Sequence, residues 1–449
     1  MNRSQFVFRI LGKKFGFDLK ELVCFVNESQ YWSKREIKEY QTEKLSIIIK
    51  HAYETVPFYK NLFNGLGLKP GDIESENDLK KLPIITKDIV RRNFNDFLSK
   101  DFNQFNPMKR ATGGTTGVAF PFYNDAKSWA MAWAVKIRAF EWAGYHIGDD
   151  GIGILAGGSL VPKERLSLRN VLWRYLQNYY SLPISNLTQE KMSEFLQLMK
   201  KRRIEFLRGY PTSIYTYAKF LYEDGIELPL KAVITTAEML HDHQRELFNS
   251  VFKCDTFDHY GCGDGMGAAL ECEKHNGLHI TSETSVMQIV DRTGEEVHHG
   301  ELGEVVLTSL HDFAMPLIRY APGDQAVKKA TRCACGRTLP MLERIEGRTS
   351  DLIEFSNGVR LNGLSIPFEV WGDKIEKFQI IQTERDAVEV LFEARDSFNK
   401  SDLKRAHDVM SYHCGEGVDI KIKLVDEIPL PESGKLRYVI SKVTEQKIN

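Results

Sequence analysis

Thr112, Gly113, Gly114, Thr115, Thr116 and Gly117 form an unbroken run of small and hydroxyl-bearing residues between a polar and an apolar segment. Glycines let backbone N–H groups come close to an anion and threonine hydroxyls add donors, so the run suits phosphate oxygens. No Gly-Lys-Ser/Thr follows it, which excludes a Walker loop, and taken alone it reads equally well as a surface turn. A second glycine cluster, YGCGDGMGA from Tyr260 to Ala268, formally satisfies a dinucleotide pattern through Gly263, Gly265 and Ala268. The segment after it, LECEKHNG, is too short and polar for the crossover helix of such a site, which argues against a nicotinamide fold.

Further along stand Glu238 in TTAEM, Asp324 in YAPGD, Arg348 and Asp351 in GRTSD, and Lys435 in PESGK. Each has an ordinary reading on its own: a helix-capping acid, a turn residue, a salt-bridged linker, a solvated hairpin lysine. The cysteines carry a separate signal. Cys333 and Cys335 are too close for a normal disulfide, while Cys272 is followed by His275 and His279. Cys272, His279, Cys333 and Cys335 together would make a closed tetrahedral zinc site that staples two distant loops. His275 is the alternative to His279, and reduced thiols without metal are the alternative to the site. Cys24, Cys254 and Cys414 read as core or surface thiols, and an odd total of seven argues against a secreted disulfide framework and for a reducing cytoplasm.

The elements that must position these residues follow from length and pattern. At 449 residues the chain is too long for one compact core. Its 60 basic and 61 acidic residues nearly cancel, so no whole-protein field draws nucleic acid or an anionic membrane, and a small or local partner is expected. No transmembrane run is present; the greasiest stretch, WAMAWAVKIRAFEWAGY, is interrupted by Lys136, Arg138 and Glu141 and reads as a buried amphipathic helix. The opening MNRSQFVFRILGKKFGF lacks a continuous apolar signal core and a cleavage site, and reads as a terminal helix or a weak membrane-surface segment.

From Ser29 to Phe94 the spacing of Ile37, Tyr40, Leu45, Ile48, Ile49, Ala52 and Tyr53 is helical, punctuated by KPGD and KLPIITKD. Another helix is expected over Ala126–Gly144, then a strand in GIGILAGG. Helices thereafter alternate with apolar runs such as IEFLRGY, KAVITTAEM and CDTFDHYG, the rhythm of an α/β sheet buried between helices. Beyond HITSETSVMQIVD the chain turns β-rich, and past a boundary near Arg348 to Asp351 it becomes a small unit of strands and one helix.

The order ATGGTTG, TTAEM, HYGCGD, RYAPGD, GRTSD and PESGKLRYV resembles the motif series of adenylate-forming enzymes. The segments IIIKHAYETVPFYKNLFNGLGLKPGDIESENDLKKLPIITKDIVRRNF and RCACGRTLPMLERIEGRTSDLI are similar to the branch containing phenylacetate-CoA ligase and the CapK capsular-polysaccharide proteins. The resemblance runs from about Glu39 to Val443. It implies an α/β fold: a large N-terminal adenylate-forming domain over 1–347, with helices on mixed sheets and a β-rich subdomain, a hinge at 348–351, and a small mobile α+β C-terminal domain over 352–449. Thr112, Gly113, Gly114, Thr115, Thr116 and Gly117 would wrap the β- and γ-phosphates of ATP. Ala237 and Glu238, with Tyr260 and Gly261, would flank the adenine, the tyrosine by stacking. Asp264 falls where relatives carry a glutamate that holds Mg2+. Asp324 would accept two hydrogen bonds from the ribose hydroxyls, Arg348 would lie near ribose and phosphate, Asp351 would be the hinge, and Lys435 the mobile catalytic lysine. The acid pocket would be walled by Gly157 and Gly158, by Tyr210, by Ala237 and by the glycine cluster around Gly263. Arg208 either pairs with a substrate charge or is a surface residue.

Two departures stand out: Val118 where many relatives carry a lysine, and Asp264 one methylene shorter than glutamate. The expected activity is ATP-dependent formation of an acyl-AMP from a small carboxylic acid, followed by transfer to an amine or sugar in surface-polysaccharide assembly. The alternatives are transfer to coenzyme A, giving an aryl-CoA thioester, and a catalytically silent nucleotide-binding scaffold. The resemblance also allows a homodimer.

Overall fold

A computed structural model of the chain describes residues 10, 12, 16–112, 120–148, 150–156, 178–183, 189–348, 352–357, 360–362, 374–429 and 439–443. It divides into two compact units, Met1–Glu346 and Gly347–Asn449.

The first unit opens with helices that carry their own start and stop signals. Helix α1 (Leu19–Ser29) begins where Asp18 accepts from the N–H groups of Lys20 and Glu21. Helix α2 (Lys34–Thr55) begins with a reciprocal Ser33–Glu36 capping box and buries Ile37, Leu45, Ile48, Ile49 and Ala52. Pro57 then starts α3 (Pro57–Leu66), and left-handed Gly67 (φ 68°) ends it. The helical periodicity read through to Phe94 gives way after Gly67 to short turns, strand β1 (Ile85–Thr86) and helix α4 (Lys87–Arg92).

Strands β2 (Met108–Thr112) and β3 (Phe120–Asn124) form a hairpin, followed by helix α5 (Ala126–Trp142). Helix α5 stops two residues short of the expected Gly144, which lies at φ 76°. Next come β4 (Ile152–Ala156), β5 (Tyr179–Pro183), α6 (Gln189–Arg202), β6 (Phe206–Gly209), α7 (Pro211–Glu223), β7 (Ala232–Thr236), α8 (Asp242–Phe252) and β8 (Asp255–Cys262). The β-rich stretch supplies β9 (Gly267–Glu271), β10 (Leu278–Ile280), β11 (Ser285–Val290), β12 (Leu302–Ser309), β13 (Tyr320–Ala321), β14 (Asp324–Lys328) and β15 (Met341–Arg348).

These strands join one mixed sheet in the order β1-β13-β12-β14-β15-β10-β9-β8-β7-β6-β4-β5, with β11 paired to β12. From β8 through β7, β6 and β4 to β5 every pairing is parallel. Strands alternate their side chains between faces, and both faces here are covered. Ile152, Ile154, Phe206, Ile234 and Phe257 pack with α1 and α5 on one face. Leu155, Leu207 and Val233 pack with α6, α7 and α8 on the other. Full burial of one such side chain contributes roughly 1.5–3 kcal/mol, which is why these strands read as continuous apolar runs. Gly209 marks a close approach: a Cβ there would fall 2.1 Å from Leu155 O.

In the second unit a short pair, β16 (Leu352–Glu354) and β17 (Arg360–Asn362), accompanies a sheet ordered β20-β19-β18-β21. Its members are β18 (Ile375–Glu384), β19 (Ala387–Ala394), β20 (Asp419–Val425) and β21 (Val439–Ser441). Helix α9 (Lys400–Cys414), capped by Asn399, buries Ala406, Met410 and Cys414 in one core with Phe378, Ile380, Val388, Val390 and Phe392. Among the described residues no helix is long and apolar enough to cross a membrane.

Candidate active site and metal centre

Thr112 closes β2 opposite Phe120 on β3, so residues 113–119 connect the two strands of the hairpin. Gly113, Gly114, Thr115, Thr116, Gly117 and Val118 lie outside the described residues, as do Gly157, Gly158, Asp351 and Lys435. Arg348 is the last residue of β15.

Phe120 stacks on Tyr320 with centroids 6.2 Å apart and rings inclined by 13°. The Tyr320 hydroxyl donates to Asp264 Oδ2 at 2.5 Å, and Cys262 Sγ donates to Asp264 Oδ1 at 3.0 Å. Lys87 Nζ lies 3.9 Å from Asp264 Oδ2 and donates to Pro322 O at 2.8 Å. One strand turn earlier on β8, the Tyr260 hydroxyl donates to Asp324 Oδ2 at 2.7 Å. Burial, then the neighbouring carboxylate, pushes both tyrosine hydroxyls and the Cys262 thiol well above their ordinary range. They therefore stay protonated and act as donors. The fold thus sets two hydrogen-bonded pairs, Tyr260–Asp324 and Tyr320–Asp264, near each other beside the hairpin, the partners within each pair being far apart in sequence. Lys87 joins them unannounced, since a lysine opening a short helix carries no sequence signal.

Ala237 follows β7 in the left-handed region (φ 70°), a costly conformation for a residue with a Cβ. It directs Glu238 so that its Oε2 accepts from Thr212 N at 3.2 Å and Thr212 Oγ1 at 2.6 Å in the first turn of α7. A carboxylate at a helix N-terminus is favoured by the dipole. Tyr210, just before α7, is 4% exposed and packed in the core against the α5 layer. Burial, then Glu238, pushes its hydroxyl to about 12.

Next to this group is a cavity of about 170 Å³. Its walls differ from those expected. Gly261, Gly263, Met266 and Gly267 line it, but Tyr210 and Ala237 do not: Tyr210 fills the core, and Ala237 is exposed beyond the end of β7. The larger wall is one face of α5, with Trp129, Trp133 and Lys136 at intervals of three and four. Helical periodicity marks this face as apolar and inward, and cannot tell a face against core from one against a cavity. Arg208 from β6 and His259 from β8 complete the lining, so Arg208 is not a surface residue.

Beside the C-terminal end of α5, Cys272, His279, Cys333 and Cys335 converge with their ligand atoms all within 4.8 Å of one another. Cys272 and Cys333 sulfurs are 3.6 Å apart, and Cys335 Sγ is 3.4 Å from His279 Nε2. A Zn–S bond of about 2.3 Å gives a tetrahedral edge near 3.8 Å, so the four donors fit a zinc ion. His275 is turned elsewhere: its Nδ1 is 3.2 Å from Glu271 Oε1. That resolves the sequence alternative in favour of His279. Trp142, Leu270, Leu339 and Met341 surround the cluster, and Trp142 meets the His279 ring edge-on at 5.6 Å.

Comparison with known proteins adds four findings. The CapK C-terminal domain family matches residues 355–442. The chain is 25% identical over 423 residues to Protein CapK from Staphylococcus aureus, covering 91% of this chain and 90% of that one. It is 30% identical over 336 residues to phenylacetate-coenzyme A ligase from Pseudomonas putida, covering 71% and 72% respectively. Among solved structures, a 2-hydroxyisobutyryl-CoA ligase in the postadenylation state with 2-HIB-AMP superposes with a TM-score of 0.71 at 18% identity, over 93% of this chain and 94% of that one, a likeness of fold.

Proposed function

The chain belongs to the adenylate-forming carboxylate ligases, in the branch that holds CapK and phenylacetate-CoA ligase, and from that premise we propose a reaction. It joins a small carboxylic acid to the α-phosphate of ATP, releases pyrophosphate, and passes the acyl group to an acceptor. The observation that carries this reading is the Tyr260–Asp324 and Asp264–Tyr320 pairs beside a cavity of acid size.

In that site Asp324 accepts from the ribose hydroxyls, and the Tyr260 ring, with Gly261, Ala237 and Glu238 beside it, faces the adenine. Thr112 and residues 113–117 hold the β- and γ-phosphates, with Arg348 near the ribose. Asp264 would hold Mg2+, which when bound neutralises charge on the phosphates. Joining a carboxylate to phosphorus concentrates negative charge, so positioning and a cation matter more than a base. Lys435 supplies that cation after residues 352–449 turn about a hinge at 348–351. Carboxylate-dependent exchange of pyrophosphate into ATP tests the reading, and its absence with every acid tried would leave only a nucleotide-binding scaffold.

For the acceptor, the match to CapK extends through the C-terminal unit, whereas the phenylacetate-CoA ligase match covers 71% of the chain. That favours an amine or sugar acceptor in surface-polysaccharide assembly over coenzyme A. Hydroxamate or pyrophosphate release requiring coenzyme A would reverse the preference. Zinc at Cys272, His279, Cys333 and Cys335 has a structural role, since all four ligands come from protein and none faces the cavity. Native mass spectrometry is expected to show one zinc per chain, and Cys333→Ser to lose it with a lowered Tm.

A further inference from the structure

The cavity has two chemically different ends, and the orientation of α5 separates them. Asn124, two residues before α5, donates from Nδ2 to Gly263 O at 3.3 Å, so the helix starts beside the glycine cluster and its Asp264. Lys136 lies ten residues after Ala126, about 15 Å further along the axis at 1.5 Å per residue. The floor at the deep end is formed by Lys136, Arg208 and His259, backed by the buried ring of Phe140. That ring takes Lys136 Nζ at 5.4 Å, the Arg208 guanidinium carbon at 5.3 Å, and the stacked His259 ring at 6.0 Å. Strand alternation explains the convergence: Arg208 shares the α5-facing parity of Phe206, and His259 that of Phe257.

Among the described residues no carboxylate forms an ion pair with Lys136 or Arg208, and the charged groups acting on Lys136 are cations, Arg208 and Arg110. Burial, then those two cations, pushes the Lys136 ammonium well below its ordinary value, and burial lowers Arg208. Arg208 Nε and His259 Nε2 are buried without a hydrogen-bond partner, and His259 is 4% exposed. Two neighbouring cations and an orphan imidazole nitrogen lining a small cavity are costly in the free protein. A ligand anion removes that cost.

We propose that the acid activated here carries a second anionic group at the end distal to its reacting carboxylate, and that Lys136 and Arg208 hold that group with His259 as a hydrogen-bonding partner. This rests on the acyl-adenylation reading. The reacting carboxylate meets ATP near Tyr260–Gly263, while the tail anion sits among Lys136, Arg208 and His259. A cavity of about 170 Å³ limits the spacer between them to a short aliphatic or single-ring unit.

The test compares matched acids: glutarate with valerate, and 4-carboxyphenylacetate with phenylacetate. Each is assayed by pyrophosphate exchange and, without ATP, by quenching of tryptophan fluorescence, since Trp129 and Trp133 line the cavity. The wild type is expected to prefer the dianionic member of a pair roughly a hundredfold in kcat/KM and to bind it in the quenching assay. Lys136→Met and Arg208→Gln are each expected to abolish that preference, read as the ratio of kcat/KM between the two members of a pair. Binding and exchange both favouring the neutral acids, or a preference unchanged in both variants, overturns the proposal and leaves adenylation standing. Dianion-selective quenching, lost in Lys136→Met, with no exchange by any acid supports the anion site and sinks adenylation. Neither quenching nor exchange with any of the four acids overturns both.

Discussion

The two ends of the cavity pose the same electrostatic problem and answer it differently. At the rim, Asp264 and Asp324 are carboxylates with donors already in place: Tyr320, Cys262 and Tyr260, with Lys87 at 3.9 Å. At the floor, Lys136, Arg208 and His259 face one another around Phe140 with no acid among the described residues. The difference is one of preorganisation. A hydrogen-bonded carboxylate is held in position before its ligand arrives, at little cost in stability. An uncompensated pair of cations lowers stability and stores affinity for whatever anion enters. On the proposed reading, the rim would orient a nucleotide that every turnover shares, and the floor would select among acids.

The largest effect is expected from the lysine that the acyl-adenylation reading makes catalytic. Lys435→Ala removes the cation proposed for the developing charge, which costs about 10²–10³ in adenylation rate while ATP binding survives. Normal adenylation in that variant would break the assignment. Asp264→Asn keeps an acceptor for Tyr320 and loses the charge proposed for Mg2+. Pyrophosphate exchange is expected to fall about tenfold to a hundredfold, with partial recovery at high magnesium and an unchanged Tm. A fall that magnesium does not touch would make Asp264 a structural residue instead.

The floor is tested by pH. His259 is held at about 3, first by burial and then by Arg208 and Lys136, against 6.5 for the unfolded side chain. Between those values the unfolded chain binds a proton that the folded chain does not. This contribution is therefore fully present above pH 6.5 and lost as pH falls through the window to 3, at about 1.4 kcal/mol per pH unit. Urea unfolding of His259→Phe at pH 7 and pH 5 should show a shallower loss than wild type. Equal slopes would mean that His259 is not buried and neutral. The smallest effect is expected for Tyr260→Phe, which removes a single hydrogen bond to Asp324: about 1 kcal/mol, near fivefold in KM for ATP, with the ranking of acids unchanged. A changed ranking would erase the division between rim and floor.

Much of the scaffold was legible in the chain. The apolar runs at Ile152–Ala156, Phe206–Gly209, Ala232–Thr236 and Asp255–Cys262 are strands because both of their faces are covered, and α2 is announced by Ser33 and Glu36. The convergence of the three cysteines with a histidine was legible too, because Cys-Ala-Cys spacing is too tight for a normal disulfide, although the choice of His279 over His275 needed the turn that sends His275 to Glu271. The cavity wall was not. Trp129, Trp133 and Lys136 share the period of an ordinary buried helix, and Tyr210 sits in a motif yet points into the core.

The sequence by itself determined which groups are available and on which face of its own element each lies. Arg208 shares the parity of Phe206, His259 that of Phe257, and Lys136 the stripe of Trp129 and Trp133, because side-chain direction follows from the strand period of 2 and the helix period of 3.6. Only the tertiary structure decided that these three faces meet. Strand order brings β6, β7 and β8 side by side and lays α5 across them. Such contacts between segments 70 to 120 residues apart depend on packing the whole sheet, which no local period encodes.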